Sequence, residues 1–254
     1  MNTATRTGHL SQAAKRRLLA VRGEPLFLAN WDRAVFIHYE VDADVLQRRV
    51  PFGLDLYDGR AFVSLVAFTL AGLRPRQGGF IGELLFKPIA THEFLNVRTY
   101  VHVNGEPGIY FLAEWLSNAL SVPLGPPVFG LPYQYGRLRY QHANPSQSLS
   151  GRIEGKHGRI EYRGRCVADE FTACEAGSLN EFLLERYTAF TKRWGINRLF
   201  RVWHQAWPQA RADLAVTAAD LLTSTGEWWT TADYIGANYS PGVNVWMGRP
   251  LRLR

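Results

Sequence analysis

The chain lacks most of the features that assign a function to a sequence directly. Its 254 residues include only two cysteines, Cys166 and Cys174, whose spacing fits neither a disulfide framework nor a metal site. The longest apolar runs, such as 61–73, are too short to span a bilayer. Phosphate-binding loops, dinucleotide fingerprints and the Gly-x-Ser-x-Gly elbow are absent. We therefore expect no metal, no cofactor and no membrane partner.

Lysine is also scarce. Four of the 29 basic residues are lysines, and the arginines are spread along the chain. The formal net charge of +7 and a pI of about 9.6 would suit nucleic-acid binding. However, no nucleic-acid-binding motif accompanies the charge, and an arginine bias often reflects genomic base composition. We expect no nucleic-acid partner, and this reading remains the least favoured alternative.

The N-terminal region has no apolar stretch of secretory type, which predicts a cytoplasmic protein. We expect residues 1–8 to be disordered and residues 9–22 to form a short amphipathic helix. The sequence contains no internal repeat and no low-complexity linker. We therefore divide the chain into an N-terminal extension, 1–22, and one domain, 23–254.

Most of the domain has the pattern of β-strands. An Asp58-Gly59 turn predicts a hairpin, and the runs 92–103 and 108–115 predict a second one. Antiparallel strands are further expected at 31–41, 135–142, 150–156, 159–168 and 198–206. Ser178 and Glu181 form a capping box that predicts a helix over 178–190. This pattern indicates a β-rich α+β fold, one domain with peripheral helices.

The predicted strand 91–103 carries the polar groups most typical of a site. Strict alternation puts Asn96, Arg98 and Tyr100 on one face and Glu93 on the other, unless a bulge near Leu95 brings Glu93 beside Asn96. Arg98 can hold a carboxylate through two parallel hydrogen bonds, and its two neighbours can orient the ligand. The alternative is a half-solvated sheet whose polar face meets water.

Two further clusters contain candidate residues. Arg186 lies on the apolar stripe of the predicted helix, so it needs a partner, for which Glu93, Glu114 and Glu185 are the candidates. His204 stands at the end of a predicted strand. The alternatives are an internal salt bridge for Arg186 and simple packing for His204.

Ordered motifs run through nearly the whole chain. They include Val50-Pro51-Phe-Gly-Leu-Asp-Leu-Tyr-Asp-Gly59, Glu93-Phe-Leu-Asn-Val-Arg-Thr-Tyr100, Phe182-Leu-Leu-Glu-Arg-Tyr187 and His204-Gln-Ala-Trp-Pro208. In these motifs the chain resembles the YqjF-like family of uncharacterised proteins, domain of unknown function 2071. The resemblance implies an acetoacetate decarboxylase-like fold, a closed, cone-like antiparallel β-barrel with helices outside and a central cavity.

The same resemblance bears on the chemistry. The decarboxylases use a lysine pair after a Gly-aromatic-Pro segment as the Schiff-base nucleophile and its neighbour. In the matching stretch 130–134, Tyr133 and Gln134 stand where those lysines are expected. The resemblance therefore implies no Schiff-base decarboxylation, and it aligns the acidic residue of the decarboxylase strand loosely with Glu93.

We predict a cavity that binds a small anionic or carbonyl compound, with Glu93 or His204 transferring a proton if a lyase- or isomerase-type reaction occurs. The predicted ligand-binding residues are Asn96, Arg98, Tyr100, Tyr133, Gln134 and Arg186. The alternative is a non-catalytic structural or protein-interaction role. In that case Trp228, Trp229 and Trp246 could form the interface of a homo-oligomer, although core packing explains them equally well.

Overall fold

The computed structural model describes residues 4–168 and 170–253. Thirteen strands occur in this part of the chain: β1 (Phe27–Val41), β2 (Ala61–Pro75), β3 (His92–Val103), β4 (Glu106–Leu116), β5 (Tyr133–Tyr135), β6 (Arg137–Asn144), β7 (Ser148–Gly155), β8 (Gly158–Cys166), β9 (Thr188–Arg193), β10 (Ile196–His204), β11 (Ala210–Ala218), β12 (Asp233–Met247) and β13 (Leu251–Arg252). The α-helices are α1 (Ala4–Leu19), α2 (Ala43–Gln47), α3 (Gly79–Phe86), α4 (Gly125–Phe129) and α5 (Leu179–Leu184). Short 3-10 helices span Lys87–Ile89, Asp220–Thr225 and Glu227–Thr231.

Two-residue turns set the register of the strand pairs. At the predicted Asp58-Gly59 turn both residues have positive φ, and Tyr57 and Arg60 exchange backbone hydrogen bonds of 3.1 and 3.0 Å. The pair Asn104-Gly105 has the same positive φ angles and joins β3 to β4. Such turns match the right-handed twist of the strands they join. The hairpin predicted over 92–103 and 108–115 accordingly forms as β3 and β4. Of the hairpin predicted between 54–57 and 61–70, the turn and the bridge between Tyr57 and Arg60 form, but Leu54 pairs with Val101 of β3, and β2 pairs with β1 and β3 instead.

Seven strands form a ring of pairings, in the order β1, β2, β3, β4, β9, β10 and β12, with β12 pairing back to β1. From β12 the sheet continues through β11, β8, β7 and β6. Most pairs are antiparallel, as expected, but β4 pairs with both β9 and β5 in parallel. Long connections precede both strands, and parallel pairing requires a long connection.

The central strands bury both faces. Val35 and Ile37 of β1 belong to one apolar cluster, whereas Ala34 and Phe36 belong to a second cluster on the opposite face. A strand with two buried faces is apolar almost throughout. This explains the uninterrupted apolar run at the start of β2, where residues 61–70 are all buried.

The helix predicted over 178–190 is much shorter than expected. Ser178 does cap it, accepting a hydrogen bond of 3.2 Å from the Glu181 amide, but α5 ends at Leu184. The residues from Thr188 onward form β9 instead, since they complete the ring between β4 and β10. Tertiary pairing thus overrides the helical spacing of the apolar residues.

The N-terminal helix begins earlier than predicted, because α1 starts at Ala4, within the segment expected to be disordered. Residues 1–3 of that segment lie outside the described part of the chain. Ala14 and Leu18 of α1 pack against Trp203 of β10. The division into an extension and a domain stays a prediction.

The C-terminal tryptophans pack within the chain. Trp228 is fully buried in the core, and Trp229 meets Tyr39 edge-on at 5.2 Å. Trp246 packs against Trp203, with the Lys15 ammonium 4.7 Å from its ring centre. This supports the core-packing interpretation of these residues. Among the described residues no helix is long and apolar enough to cross a membrane.

Candidate functional site

A cavity of about 310 Å³ lies inside the ring of strands, and each of the seven ring strands contributes residues to its wall. Most of the wall is apolar. The polar side chains that line it are His92, Asn96, Arg98, Glu114, Ser121, Tyr133, Arg186 and Thr188. A mainly apolar pocket with a few convergent polar groups is the usual form of a small-molecule site.

The inward face of β3 forms one wall. His92, Phe94, Asn96 and Arg98 all line the cavity, as the period of two along a strand requires. Because this face meets the cavity rather than bulk water, all four residues are buried. The alternative of a half-solvated sheet therefore does not describe β3.

Arg98 is buried without a carboxylate partner. Its Nη2 donates a hydrogen bond of 2.9 Å to the Leu183 carbonyl. Its Nε has no hydrogen-bond partner among residues 4–168 and 170–253, and none of the ion pairs found there includes it. A buried guanidinium left in this state carries a large desolvation cost. It is therefore able to gain from a bound anion.

Three polar residues form a row across neighbouring strands. Asn96 of β3 is paired in register with Glu114 of β4, which is paired in turn with Tyr133 of β5. In the described part of the chain neither Asn96 Oδ1 nor Glu114 Oε2 has a hydrogen-bond partner. Both atoms belong to residues of the cavity wall, where a ligand is able to meet them.

Burial sets the protonation of this row. It raises the pKa of the Glu114 carboxyl well above its ordinary value, because the charged form is poorly solvated there. Burial also raises the pKa of Tyr133, and the nearby Glu114 adds to this shift. The shift favours the neutral form of both groups, which is the form that donates a hydrogen bond.

His92 and Ser121 are the other polar groups of interest. Burial lowers the pKa of His92 to about 4, against smaller opposing contributions from Glu93 and the Ile89 backbone, so its ring is neutral near pH 7. Within residues 4–168 and 170–253, Ser121 Oγ has no hydrogen-bond partner. The same part of the chain contains no cluster of three or more His, Cys, Asp or Glu placed to hold a metal ion.

Arg186, the second arginine of the wall, has a carboxylate partner. Its Nη1 lies 2.6 Å from Asp55 Oδ2, and its Nε donates a hydrogen bond of 2.7 Å to the Phe182 carbonyl. Its guanidinium also stacks on the Phe182 ring at 4.1 Å. The expected partners Glu93, Glu114 and Glu185 were therefore wrong, because α5 ends early and turns Arg186 toward the loop that contains Asp55.

Four predicted site residues do not contribute to the cavity wall. Tyr100 lies behind it and donates a hydrogen bond of 2.9 Å to the Leu183 carbonyl, the acceptor that Arg98 also uses. Gln134 is exposed because alternation along β5 turns it away from Tyr133. The remaining two are Glu93 and His204.

Glu93 lines a separate cleft with Thr69 and His142, and its Oε2 accepts a hydrogen bond of 2.6 Å from Ser117. The β3–β4 bulge lies between Val97 and Arg98 rather than near Leu95, so Glu93 is not carried round to Asn96.

His204 is packed among aromatic rings, 4.6 Å from the Tyr187 ring centre and 5.2 Å from that of Trp207. Burial lowers the pKa of His204 to about 4. Its position fits the packing alternative, and the catalytic role proposed for it stays a prediction.

Glu114 is the main residue that sequence reasoning missed as a site residue. Without a bulge, the Asn104-Gly105 turn would pair Asn96 with Ala113 and would put Glu114 on the other face. The additional residue Leu112 in β4 shifts the register, so that Asn96 faces Glu114. The available signal was an acid in an otherwise apolar strand.

Comparisons with known proteins agree on the family and the fold. The family profile DUF2071, described as an uncharacterized conserved protein, matches residues 28–244. The uncharacterized protein YqjF of Bacillus subtilis is 32% identical over 203 residues, which cover 78% of this chain and 80% of that protein.

Solved structures with lower identity show the same fold. An acetoacetate decarboxylase-like enzyme from Sphingomonas wittichii RW1 superposes with a TM-score of 0.64 at 13% identity, covering 91% of this chain and 94% of the other. The enduracididine biosynthesis enzyme MppR, complexed with pyruvate, superposes with a TM-score of 0.62 at 16% identity and covers 93% of both chains.

Proposed function

The chain belongs to the DUF2071 family of uncharacterised conserved proteins, and from this premise we propose that it binds a small anionic compound that also carries a carbonyl group. The binding site is the cavity inside the ring of strands. The proposal treats this ring as the closed, cone-like barrel that the family resemblance implies. The return pairing of β10 with β12 supports that closure.

Arg98 is the observation that carries the proposal. It is 4% exposed, lines the cavity and has an unbonded Nε, whereas its neighbour Arg186 is already paired with Asp55. A carboxylate bound by Arg98 would replace the water that the guanidinium loses on burial. In this proposal Arg98 is the anchor for the ligand and Arg186 fixes the protein around it.

The row beside Arg98 supports the carbonyl half of the ligand. Asn96 is two residues away on the same face of β3, about 7 Å along the strand. The neutral Glu114 carboxyl and the Tyr133 hydroxyl, next to it across the sheet, are donors for a carbonyl oxygen. MppR was solved with pyruvate, a carboxylate with an adjacent carbonyl, which supports this ligand class.

The proposal does not use a Schiff base, since no lysine belongs to the cavity wall in the described residues. If a reaction occurs, we assign the proton-donating role to Glu114, because a neutral acid beside a carbonyl stabilises charge that develops on its oxygen. The role predicted for Glu93 and His204 is not part of this proposal.

A thermal-shift comparison of wild type, Arg98→Gln and Arg163→Gln tests the proposal. Arg163 is exposed on β8 and is the matched control. The panel contains pyruvate, longer oxo acids, their methyl esters and a DNA duplex, each at two salt concentrations. A ligand at about 100 times its dissociation constant stabilises by roughly 2.7 kcal/mol, which raises Tm by about 5–10 °C.

We expect the acids to raise the Tm of wild type and Arg163→Gln but not that of Arg98→Gln. Equal Tm shifts in all three proteins would mean that Arg98 does not bind the ligand. If DNA alone raises Tm, and does so only at low salt, the functional site would be the basic surface rather than the cavity.

A further inference from the structure

The cavity is elongated along β3. Four alternate residues of this strand, from His92 to Arg98, line it in succession. At about 3.4 Å per residue, their Cα atoms span roughly 20 Å. A small oxo acid held at Arg98 would occupy only one end of such a cavity.

The two ends differ in character. Arg98 is at the deep end, where Arg186 and Thr188 are also buried. The opposite end lies next to the start of β3, where the wall includes Phe86 and Ile89. The wall residues Leu124 and Val128 follow Asn118, whose side chain donates a hydrogen bond of 2.7 Å to the Pro88 carbonyl near this end. Leu124 is 51% exposed and Val128 48% exposed, so this apolar end reaches the surface.

The surface around this opening is itself apolar. On α3, which ends at the wall residue Phe86, Phe80 and Leu85 are 78% and 73% exposed. Of the 27 residues that form the wall, 19 are apolar. A short polar metabolite would leave most of the apolar wall without a contact. Water would not fill the remaining space favourably, because apolar residues offer it no hydrogen bonds.

We infer that the ligand is an oxo acid with an apolar tail. Its carboxylate binds Arg98, its carbonyl lies against Asn96 and Glu114, and its tail runs past Phe94 to the opening at Val128. The inference rests on the proposed function and adds the class of substrate. A water molecule takes about 30 Å³, so 310 Å³ accommodates at least about ten groups of that size.

Calorimetric titration with straight-chain 2-oxo acids, from pyruvate to 2-oxodecanoate, tests the inference. Each acid is compared with its methyl ester, below the concentration at which micelles form. We expect one site per chain and an affinity that rises about fourfold per methylene until the cavity is filled. We expect the esters to bind at least tenfold more weakly than the acids.

Two variants locate the tail. Val128→Trp narrows the opening at a half-exposed position, so it should weaken the long acids at least tenfold, and by more than it weakens pyruvate. Leu120→Trp is the matched control, since Leu120 is 62% exposed and lies outside the wall. Equal effects of the two variants would overturn the assigned path of the tail.

The outcomes separate the inference from the proposed function. If pyruvate binds and longer acids bind no more tightly, the apolar tail is overturned while the anion site stands. If long esters bind as tightly as the acids, or if no acid of any length binds, both are overturned.

Discussion

Two buried polar regions lie side by side within the ring of strands, and they differ in whether their hydrogen bonds are complete. In the first, His38 bonds to Ser64 at 2.7 Å, Ser64 to Tyr100 at 2.5 Å, and Tyr100 to the Leu183 carbonyl. His38 also bonds to Asn238, at 3.1 Å. We call this first region the bonded chain.

The second region consists of four residues of the cavity wall, Asn96, Arg98, Glu114 and Ser121. We call these four residues the cavity row. Each of these residues keeps at least one side-chain atom without a partner among residues 4–168 and 170–253. Folding normally satisfies buried polar groups, as it does in the bonded chain. The proposed function accounts for this difference, since a ligand in the cavity would supply the partners that the cavity row lacks, whereas the bonded chain contributes to stability.

The largest effect on stability is expected at the bonded arginine of the cavity. Arg186→Met should reduce the free energy of unfolding by about 3 kcal/mol, because it leaves Asp55 and the Phe182 carbonyl without their charged partner. Arg98→Gln should cost less than about 1 kcal/mol. Urea denaturation measures both values.

The double variant Arg186→Met/Asp55→Asn is the control for the ion pair. Its loss should be smaller than the sum of the two single losses. Equal losses for Arg186→Met and Arg98→Gln would remove the distinction between a structural and a ligand-binding arginine.

A smaller effect is expected within the bonded chain. Ser64→Ala should lower the free energy of unfolding by about 2 kcal/mol, since it leaves His38 Nδ1 buried without a partner. Asn96→Leu, in the cavity row, should change it by less than about 1 kcal/mol and should abolish ligand binding. Denaturation measures the stability of the two variants, and titration measures their ligand binding. The comparison between the two regions would be contradicted if Asn96→Leu were less stable than Ser64→Ala.

Per pH unit, the smallest effect on stability is expected from the ionisation of Glu114. Burial raises its folded pKa above 4.5, so its favourable contribution is complete below about pH 4.5 and is lost as the pH rises toward the folded pKa. Between these values the stability of wild type should fall relative to that of Glu114→Gln by up to about 1.4 kcal/mol per pH unit.

Unfolding curves of the two proteins from pH 5 to pH 8 measure this difference. Parallel curves would mean that Glu114 is charged in the folded protein, and it could then not donate a hydrogen bond to a carbonyl.

The sequence predicted much of the fold, because strands and tight turns are local. The Asp58-Gly59 turn and the β3–β4 hairpin were predicted correctly, and the period of two along β3 turned Asn96 and Arg98 to the same side. The Ser178 cap was also predicted correctly. The length of α5 was not, since the pairing of β9 with β4 and β10 is non-local and stronger than the helical pattern.

By itself, therefore, the sequence determined the β-rich class, the family and a strand of polar residues that includes Arg98. Only the tertiary structure decided which of those residues meet. The additional residue Leu112 in β4 places Glu114 opposite Asn96. Because α5 ends early, Arg186 forms its ion pair with Asp55. Both contacts depend on strand register and chain reversal, which bring together residues that are distant in sequence. The periodicity of one segment does not indicate which segment it pairs with.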